Sequence, residues 1–246
     1  MKVLVFDIWG DYGHFRKFYT TSSPLTFSFP PPPTIAGILG AICGTGKDEY
    51  LKIFSPEQCR LALGIVSPIK KVRMGINLIN TKGNYWQPVK KKNHEPRTQI
   101  RTEFLKDTCF RVYVAHEDDN VFNKLCQSIK EHRCVYSVSL GLSELLANFR
   151  FVDIYEAEEL HGDIAELSTP ITEDNLVDGG LEIESGKKYF KEKMPIRMNA
   201  DRVVEIYDDV IYEPDGKTIK AAVKTYCRLQ PSKQGLKQNG EYIAFF

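Results

Sequence analysis

The N-terminus carries the clearest strand pattern of the chain. Residues 2–8 (KVLVFDI) are almost continuously apolar and β-branched, which is typical of a central strand covered on both faces. A loop of about two dozen residues then separates this strand from the first predicted helix, although such connections usually need only a few residues. We therefore expect the long loop to have a function of its own.

Four consecutive prolines connect the long loop to the first helix. Residues 30–33 must be extended and cannot donate backbone hydrogen bonds, so they deliver the chain to a helix start at which Thr34 is the expected N-cap. Gly37, Gly40 and Gly44 fall on one stripe of this helix, although each glycine costs up to about 1 kcal/mol of helix stability. The stripe predicts that another group lies very close to this helix, and the first candidate is the backbone of a neighbouring strand or loop.

In the middle of the chain, the alternation and helical spacing of apolar residues predict the next elements. Residues 70–97 form an excursion rich in turn residues, and Lys106 with Asp107 is the expected turn of a hairpin. A small-residue loop around Gly141 follows the second helix. The predicted strands lie at 60–69, 98–105, 108–115 and 149–157, and the predicted second helix runs from 118–120 to His132.

This order of elements predicts an α+β protein with a ferredoxin-like, RRM-like βαββαβ fold, and with a hairpin inserted between the second and third strands. Beyond residue 160 the pattern changes to strands only. We therefore expect a first unit at 1–160 and a small antiparallel β appendage at 161–246, which is not a freely linked domain. The strands of the appendage are predicted at 188–198, 203–212 and 218–228.

Composition indicates a globular protein, with 42% hydrophobic and 26% charged residues. The longest uncharged apolar run, 35–43, is about half of a membrane span, and Asp7 interrupts the N-terminal apolar segment where a signal peptide would need its hydrophobic stretch. We expect a cytoplasmic protein with no membrane partner. Six cysteines without a CxxC pair fit buried thiols in a reducing compartment, and we expect no metal or other cofactor.

Charge is distributed unevenly along the chain. The net charge is only +1, but residues 70–111 hold eleven Lys and Arg against three acids, and residues 151–184 hold eleven acids and no Lys or Arg. Such a chain can present a cationic surface to phosphate while its acidic segment faces elsewhere. The alternative is solvated charge on two exposed loops.

The long loop combines the side chains that single-stranded RNA recognition needs. Cationic groups bridge phosphates, hydroxyls fix them, and aromatic rings stack on unpaired bases. RNA is accordingly the second candidate for the close approach to the glycine stripe. The alternative is that Phe15 and Phe18 only staple the loop to the core. The loop residues assigned to RNA are Tyr12, His14, Phe15, Arg16, Lys17, Tyr19, Thr20, Thr21 and Ser22.

Two further segments offer anion-binding chemistry. The basic excursion supplies phosphate contacts, and the loop around Gly141 and Ser143 can expose backbone N–H groups to an anion. The segment GTGK at 44–47 does not make a phosphate-binding loop, because Ala41 and Asp48 stand where that motif needs Gly and Ser or Thr. The cations assigned to phosphate are Arg73, Lys90, Lys91, Lys92, Arg97 and Arg101.

The stretch GDYGHFRKFYTTSSPLTFSFPPPPTIAGILGAICG, followed by PRTQIRTEFLKD and SVSLGLSELL, resembles the CRISPR-associated "Cas five" proteins of the RAMP superfamily, most closely those of type I-B systems. The resemblance implies a ferredoxin-like palm with a β-hairpin thumb, here at about 70–100. It also implies a subunit of the antiviral Cascade complex that grips the 5′ handle of the crRNA. Its partners would be the backbone ("Cas seven") and large ("Cas eight") subunits, with target DNA contacted indirectly. Arg97, Gln99 and Arg101 would line the return arm of the thumb.

One branch of the family, in type I-C systems, cuts precursor crRNA with a Tyr, a Lys and a His. The matching positions in this chain are Cys43, Tyr113 and Ala115, so we expect no catalysis. One alternative is a metal-independent endoribonuclease whose general acid and base are rebuilt from His94 with Lys92, or from His14 with Lys17. Another is a protein-only interaction module whose basic thumb binds an acidic segment of a partner.

Overall fold

The computed structural model describes residues 1–20, 23–82, 88–90, 95–231 and 240–246. Strands dominate these ranges, and the protein is of the α+β class. The helices are α1 (Pro32–Cys43), α2 (Tyr50–Ile53) and α3 (Asp119–Lys130). The strands are β1 (Lys2–Gly13), β2 (Cys59–Ile65), β3 (Lys71–Ile79), β4 (Arg97–His116), β5 (Asn148–His161), β6 (Ile164–Leu167), β7 (Ile171–Thr172), β8 (Leu176–Leu181), β9 (Phe190–Met198), β10 (Val204–Tyr212), β11 (Ile219–Val223), β12 (Thr225–Pro231) and β13 (Glu241–Ile243).

Strand β1 lies inside the main sheet, as its apolar run predicts. The sheet runs in the order β2-β4-β1-β5-β12-β13-β6-β11-β8, with β3 paired to β4 outside this path, and β7-β10-β9 form a separate small sheet. Leu4 and Phe6 pack on the core that contains α1 and α3, whereas Val5 packs on the other face beside Leu229 and Ile243. Both faces of β1 are therefore covered, which explains why alternation is missing from its sequence.

Helix α1 begins three residues earlier than its sequence suggests. Its N-cap is Pro31, and Pro32 occupies the first turn, where a missing N–H is tolerated, so the predicted N-cap at Thr34 is wrong. The glycine stripe is approached mainly by side chains, since a side chain at Gly40 would meet Tyr50 and one at Gly44 would meet Val135. Loop backbone also reaches this end of the helix through hydrogen bonds from residues 135 and 136 to the carbonyls of residues 42 and 41.

The hairpin expected at residues 98–115 does not form, and a hairpin lies instead within the stretch of about 70–100. Strand β4 continues for 20 residues through Lys106 and Asp107, so the predicted turn at these residues is wrong. Asp107 takes a positive φ of 51°, which an aspartate tolerates, and the strand passes on from pairing with β3 to pairing with β1 and β2. The hairpin consists of β3 and residues 97–105 of β4, and we call it the β3–β4 hairpin.

Five of the C-terminal strands, β6, β8, β11, β12 and β13, extend the main sheet, whereas β7, β9 and β10 form the small one. Strands β9 and β10 lie where the sequence predicts them, but the predicted strand at 218–228 is two strands, β11 and β12. Strand β12 pairs with residues 155–161 of β5, which joins the C-terminal region to the first unit by a hydrogen-bonded ladder. The boundary near residue 160 stays a prediction.

No helix in the described ranges has the length and apolar character needed to cross a membrane. Within the same ranges, no three His, Cys, Asp or Glu side chains are grouped so that they could hold a metal ion. Cys126 is a buried residue of α3, whereas Cys134 is exposed.

We predict that Gly141→Ala destabilises the protein far more than Gly162→Ala. Both glycines have positive φ, at 99° and 74°, but a Cβ at Gly141 would overlap the backbone carbonyl of His14, whereas a Cβ at Gly162 meets open space. The expected cost in the free energy of unfolding is about 3 kcal/mol at Gly141 and about 1 kcal/mol at Gly162. Denaturant unfolding of both variants measures this. Equal losses of stability would show that the loop around Gly141 moves to accommodate the added methyl group.

Candidate nucleic-acid interface

The loop between β1 and α1, residues 14–31, is largely folded back on itself. The backbone of Phe27 donates to the carbonyl of Phe15 at 2.8 Å, and that of Lys17 donates to Leu25 at 2.9 Å. The buried hydroxyl of Thr26 accepts a hydrogen bond from the Phe15 N–H at 2.9 Å. This β1–α1 loop therefore has an inner half that belongs to the core and an outer half that faces solvent.

Two residues at the start of the loop are buried. The ring of Phe15 packs edge-on against Phe110, with the ring centroids 6.5 Å apart. The Nδ1–H of His14 donates to the Glu103 carbonyl at 2.7 Å, and burial lowers the pKa of the imidazole. The neutral, enclosed His14 and the enclosed Phe15 hold the loop in place, so neither offers a face for a base in this structure.

Lys17 is held by a carboxylate that is remote in sequence. Its ammonium forms an ion pair with Glu192 of β9, and only 12% of the Lys17 side chain is exposed. The second oxygen of Glu192 accepts a hydrogen bond from the Ser28 N–H at 3.0 Å. Burial by itself would lower the pKa of Lys17, but the Glu192 carboxylate outweighs it and the pKa is raised. The Lys17 ammonium stays positively charged, and the Glu192 carboxylate balances this charge. The ion pair ties the loop to β9.

Glu103 joins the base of the β3–β4 hairpin to the same loop. Its carboxylate lies 3.4 Å from the Arg73 Nε and 3.8 Å from the Lys71 ammonium, and the Thr26 N–H donates to it at 3.4 Å. The Lys71 ammonium also donates to the Thr26 carbonyl at 3.1 Å, and its burial lowers its pKa. The loop therefore meets the hairpin at Glu103 and meets β9 at Glu192.

The outer half of the loop presents one cation and two rings. Arg16 is exposed and donates to the Thr20 carbonyl at 3.2 Å, while Phe18 and Tyr19 are 54% and 57% exposed. The hydroxyl of Thr20 donates to the Lys17 carbonyl at 3.0 Å, so it shapes the loop. Of the two phenylalanines that could staple the loop, only Phe15 does so. Phe18 is an exposed ring that sequence reasoning did not assign to RNA.

Strand alternation gives the β3–β4 hairpin two different faces. Gly75 pairs with Arg101 and Asn77 with Gln99, so one face carries the polar residues. The other face carries Val72, Met74, Ile76, Ile100 and Phe104. An open groove of about 560 Å³ on the polar face is lined by Arg73, Gly75, Gln99 and Arg101.

This groove brings together three residues that the sequence assigns to RNA. The side chain of Gln99 lies directly over Gly75, where a larger residue would collide with it. Within the described part of the chain, no acidic group lies within 4.0 Å of the cationic nitrogens of Arg97 or Arg101. The groove can therefore bind an anion with charge that the protein does not neutralise itself.

The remaining residues assigned to RNA lie near the loop, elsewhere on the surface, or outside the described residues. Tyr12 is half-buried and edge-on to Phe104, Gly141 lies against the His14 carbonyl, and the exposed Ser143 donates to Glu144 at 3.2 Å. Lys90 is exposed. Thr21, Ser22, Lys91, Lys92 and His94 lie outside the described residues.

The three positions that match the cutting branch are all buried. Cys43 lies in the core, Ala115 is 5% exposed, and burial holds the pKa of the Tyr113 hydroxyl well above its usual range. That hydroxyl donates to the carboxylate of Glu241 at 2.6 Å. None of the three presents a catalytic group at the surface.

The fold resembles that of a chain in a solved "CRISPR RNA-guided surveillance complex", with a TM-score of 0.52 and 9% sequence identity over 89% of this chain and 91% of that one. A CRISPR protein from Archaeoglobus fulgidus gives a TM-score of 0.51 and 15% identity over 99% of this chain and 98% of that one. No curated protein matches the sequence.

The model of the family described as CRISPR-associated protein (Cas_Cas5) matches residues 3–205. The chain belongs to this CRISPR-associated family, because the match covers well over half of it. The family predicted from residues 10–44 together with the stretches PRTQIRTEFLKD and SVSLGLSELL is confirmed. The type I-B subtype stays a prediction.

We predict that Glu192→Gln destabilises the protein by about 3 kcal/mol, because it leaves the enclosed Lys17 ammonium without a counter-charge. Unfolding in urea at neutral pH measures this. The matched control is Glu173→Gln, which breaks a solvent-exposed pair with Lys191 at 2.8 Å and should change stability far less. Adding Lys17→Met to Glu192→Gln should recover part of the loss. Equal effects of Glu192→Gln and Glu173→Gln would contradict the anchoring role.

Proposed function

We propose that the protein is a non-catalytic, RNA-binding subunit of a CRISPR effector complex that grips the 5′ handle of the crRNA. Family membership supports the place in an effector complex. The observation that carries the RNA-binding role is the groove of the β3–β4 hairpin. There Arg73, Gln99 and Arg101, on two strands, converge on one open polar face.

The proposed architecture is a ferredoxin-like palm with the β3–β4 hairpin as its thumb. In support, β2-β4-β1-β5 are neighbours in this order, which is the strand order of the split βαββαβ unit when β3 is set aside. Helices α1 and α3 pack on the same face of these strands. The hairpin leaves the sheet between β2 and the second half of β4, where an insertion keeps the palm intact.

In the proposed RNA-binding surface, some side chains bind phosphates and others bind bases. Arginine donates two parallel hydrogen bonds to phosphate, so Arg101 and the exposed Arg16 suit the RNA backbone, whereas Arg73 lines the groove with its charge already balanced by Glu103. Gln99 donates and accepts, so its amide suits a phosphate oxygen or a base edge. Tyr19 offers an exposed ring. The contacts with backbone and large subunits, and the type I-B assignment, belong to the same proposal and use other surfaces.

The absence of catalysis is part of the proposal. General acid/base cleavage needs titratable groups that reach the RNA. Of the groups described, His14 is enclosed with a lowered pKa, and Lys17 is paired with Glu192. The positions that match the cutting branch are buried, as described above.

We predict that Arg101→Gln weakens the binding of a repeat-derived 5′ handle RNA and makes its salt dependence shallower by about 0.7 in the slope of log K against log salt concentration. The reason is that one phosphate contact, and the counterions it releases, are lost. Fluorescence anisotropy titrations at several salt concentrations measure the slope. The same RNA, incubated with the wild-type protein in EDTA, should remain intact on a denaturing gel.

The matched control is Lys124→Gln on the exposed side of α3, away from the hairpin. This change should leave affinity and slope close to wild type. Equal effects of the two substitutions would mean that the hairpin groove has no special part in binding. Metal-independent cleavage of the RNA at one position would establish the endoribonuclease instead.

A further inference from the structure

An exposed cluster of aromatic rings joins the β1–α1 loop to the C-terminal region. Phe18 lies against Tyr207 of β10, with ring centroids 4.8 Å apart, and against Tyr19, with centroids 5.0 Å apart. Phe18, Tyr19 and Tyr207 remain 54%, 57% and 38% exposed although Phe18 contacts both of the others. We call these three residues the aromatic platform.

The fold holds the platform at a fixed position. Tyr207 pairs with Pro195 in the β9–β10 ladder, and β9 also carries Glu192. The ion pair of Glu192 with Lys17 fixes the residue next to Phe18. Loop and C-terminal strand therefore meet through a buried anchor on one side and exposed rings on the other.

The chemistry of the platform favours a nucleobase. Its members are all aromatic, and an aromatic ring stacks on any base through its π-face, whereas aliphatic surface does not. Arg16 is exposed on the same loop segment and supplies a cation beside the rings, and the Lys17 ammonium, although paired with Glu192, lies 5.9 Å from the centroid of Tyr19. The exposed aliphatic side chains Val135 and Leu146 lie on a different segment, between α3 and β5, and Ile206 is the exposed aliphatic neighbour of Tyr207 on β10.

The platform also lies next to the proposed RNA path. The returning arm of the loop is hydrogen-bonded to the arm that leads to Phe18 and Tyr19, and the Lys71 and Glu103 contacts with Thr26 bind this returning arm to the base of the β3–β4 hairpin. A strand of RNA whose phosphates lie along the hairpin groove and Arg16 then passes beside these rings.

We propose that Phe18, Tyr19 and Tyr207 form a stacking site for one unpaired nucleobase of the bound RNA. This inference rests on the RNA-binding role proposed above. It gives the C-terminal region a direct part in RNA recognition, because Tyr207 comes from outside residues 1–160. The base is held by stacking, which tolerates any of the four bases.

The test compares platform variants on handle RNAs in which each nucleotide in turn is replaced by an abasic one. Phe18→Ala and Tyr207→Ala should each weaken binding of the intact RNA by about 5- to 150-fold, with an unchanged salt slope because no phosphate contact is lost. One abasic position should weaken wild-type binding to a similar degree. Tyr207→Ala should then weaken the binding of that abasic RNA only slightly further, because both changes remove the same contact.

Two variants serve as controls. Tyr207→Phe keeps the ring and should bind within about twofold of wild type. Tyr136→Ala removes a ring of similar exposure, 55%, elsewhere on the surface and should have no effect. The abasic RNAs test the wild-type protein, so the inference stays falsifiable even where an alanine variant unfolds.

Normal RNA binding by Phe18→Ala and Tyr207→Ala, with Arg101→Gln still weakened, would overturn the stacking site and leave the proposed function standing. Unchanged binding in all three variants would overturn the proposed function as well. Normal RNA binding, together with loss of a protein subunit from the assembled complex, would show that the platform is a protein-docking surface.

Discussion

A buried carboxylate on β9, Glu192, organises the face of the molecule that we assign to RNA. It lies nearly out of solvent, pairs with Lys17 and accepts the Ser28 N–H. Since a charge enclosed without partners is costly, the loop and β9 assemble in the arrangement that satisfies it. That arrangement turns Phe15 inward and leaves Arg16 and Phe18 outside, so a structural ion pair decides which loop residues can meet a ligand.

A second carboxylate, Glu103, has the corresponding role at the β3–β4 hairpin. It engages Lys71, Arg73 and the Thr26 N–H, so cations near the base of the hairpin are neutralised within the protein. Farther along the hairpin, Arg101 has no such partner among the described residues. The net charge of the chain is only +1, but a local cationic groove remains. This is because acidic residues are paired at Glu103 and Glu192 or lie on the strands after residue 150.

Local patterns predicted the parts of the fold that depend on local forces. The apolar run of β1, the helix capped by Asp118 and the concentration of cations in the hairpin region all follow from neighbouring residues. The pairing of Lys17 with Glu192 could not be predicted, because no periodicity links positions in different parts of the chain. The turn expected at Lys106 and Asp107 failed because two polar residues also suit an exposed point on a continuous strand. Which of Phe15 and Phe18 is buried depended on tertiary pairing of the loop.

The central claim is that the anchored loop, the hairpin groove and the platform form one surface for single-stranded RNA. Photo-crosslinking of a handle RNA that carries thiouridine, in the assembled complex and with mass-spectrometric mapping, tests it most directly. The account predicts crosslinked peptides from residues 16–19, 73–77, 97–101 and 205–207. Crosslinks confined to α3, or to the acidic strands β5 to β8, would contradict it.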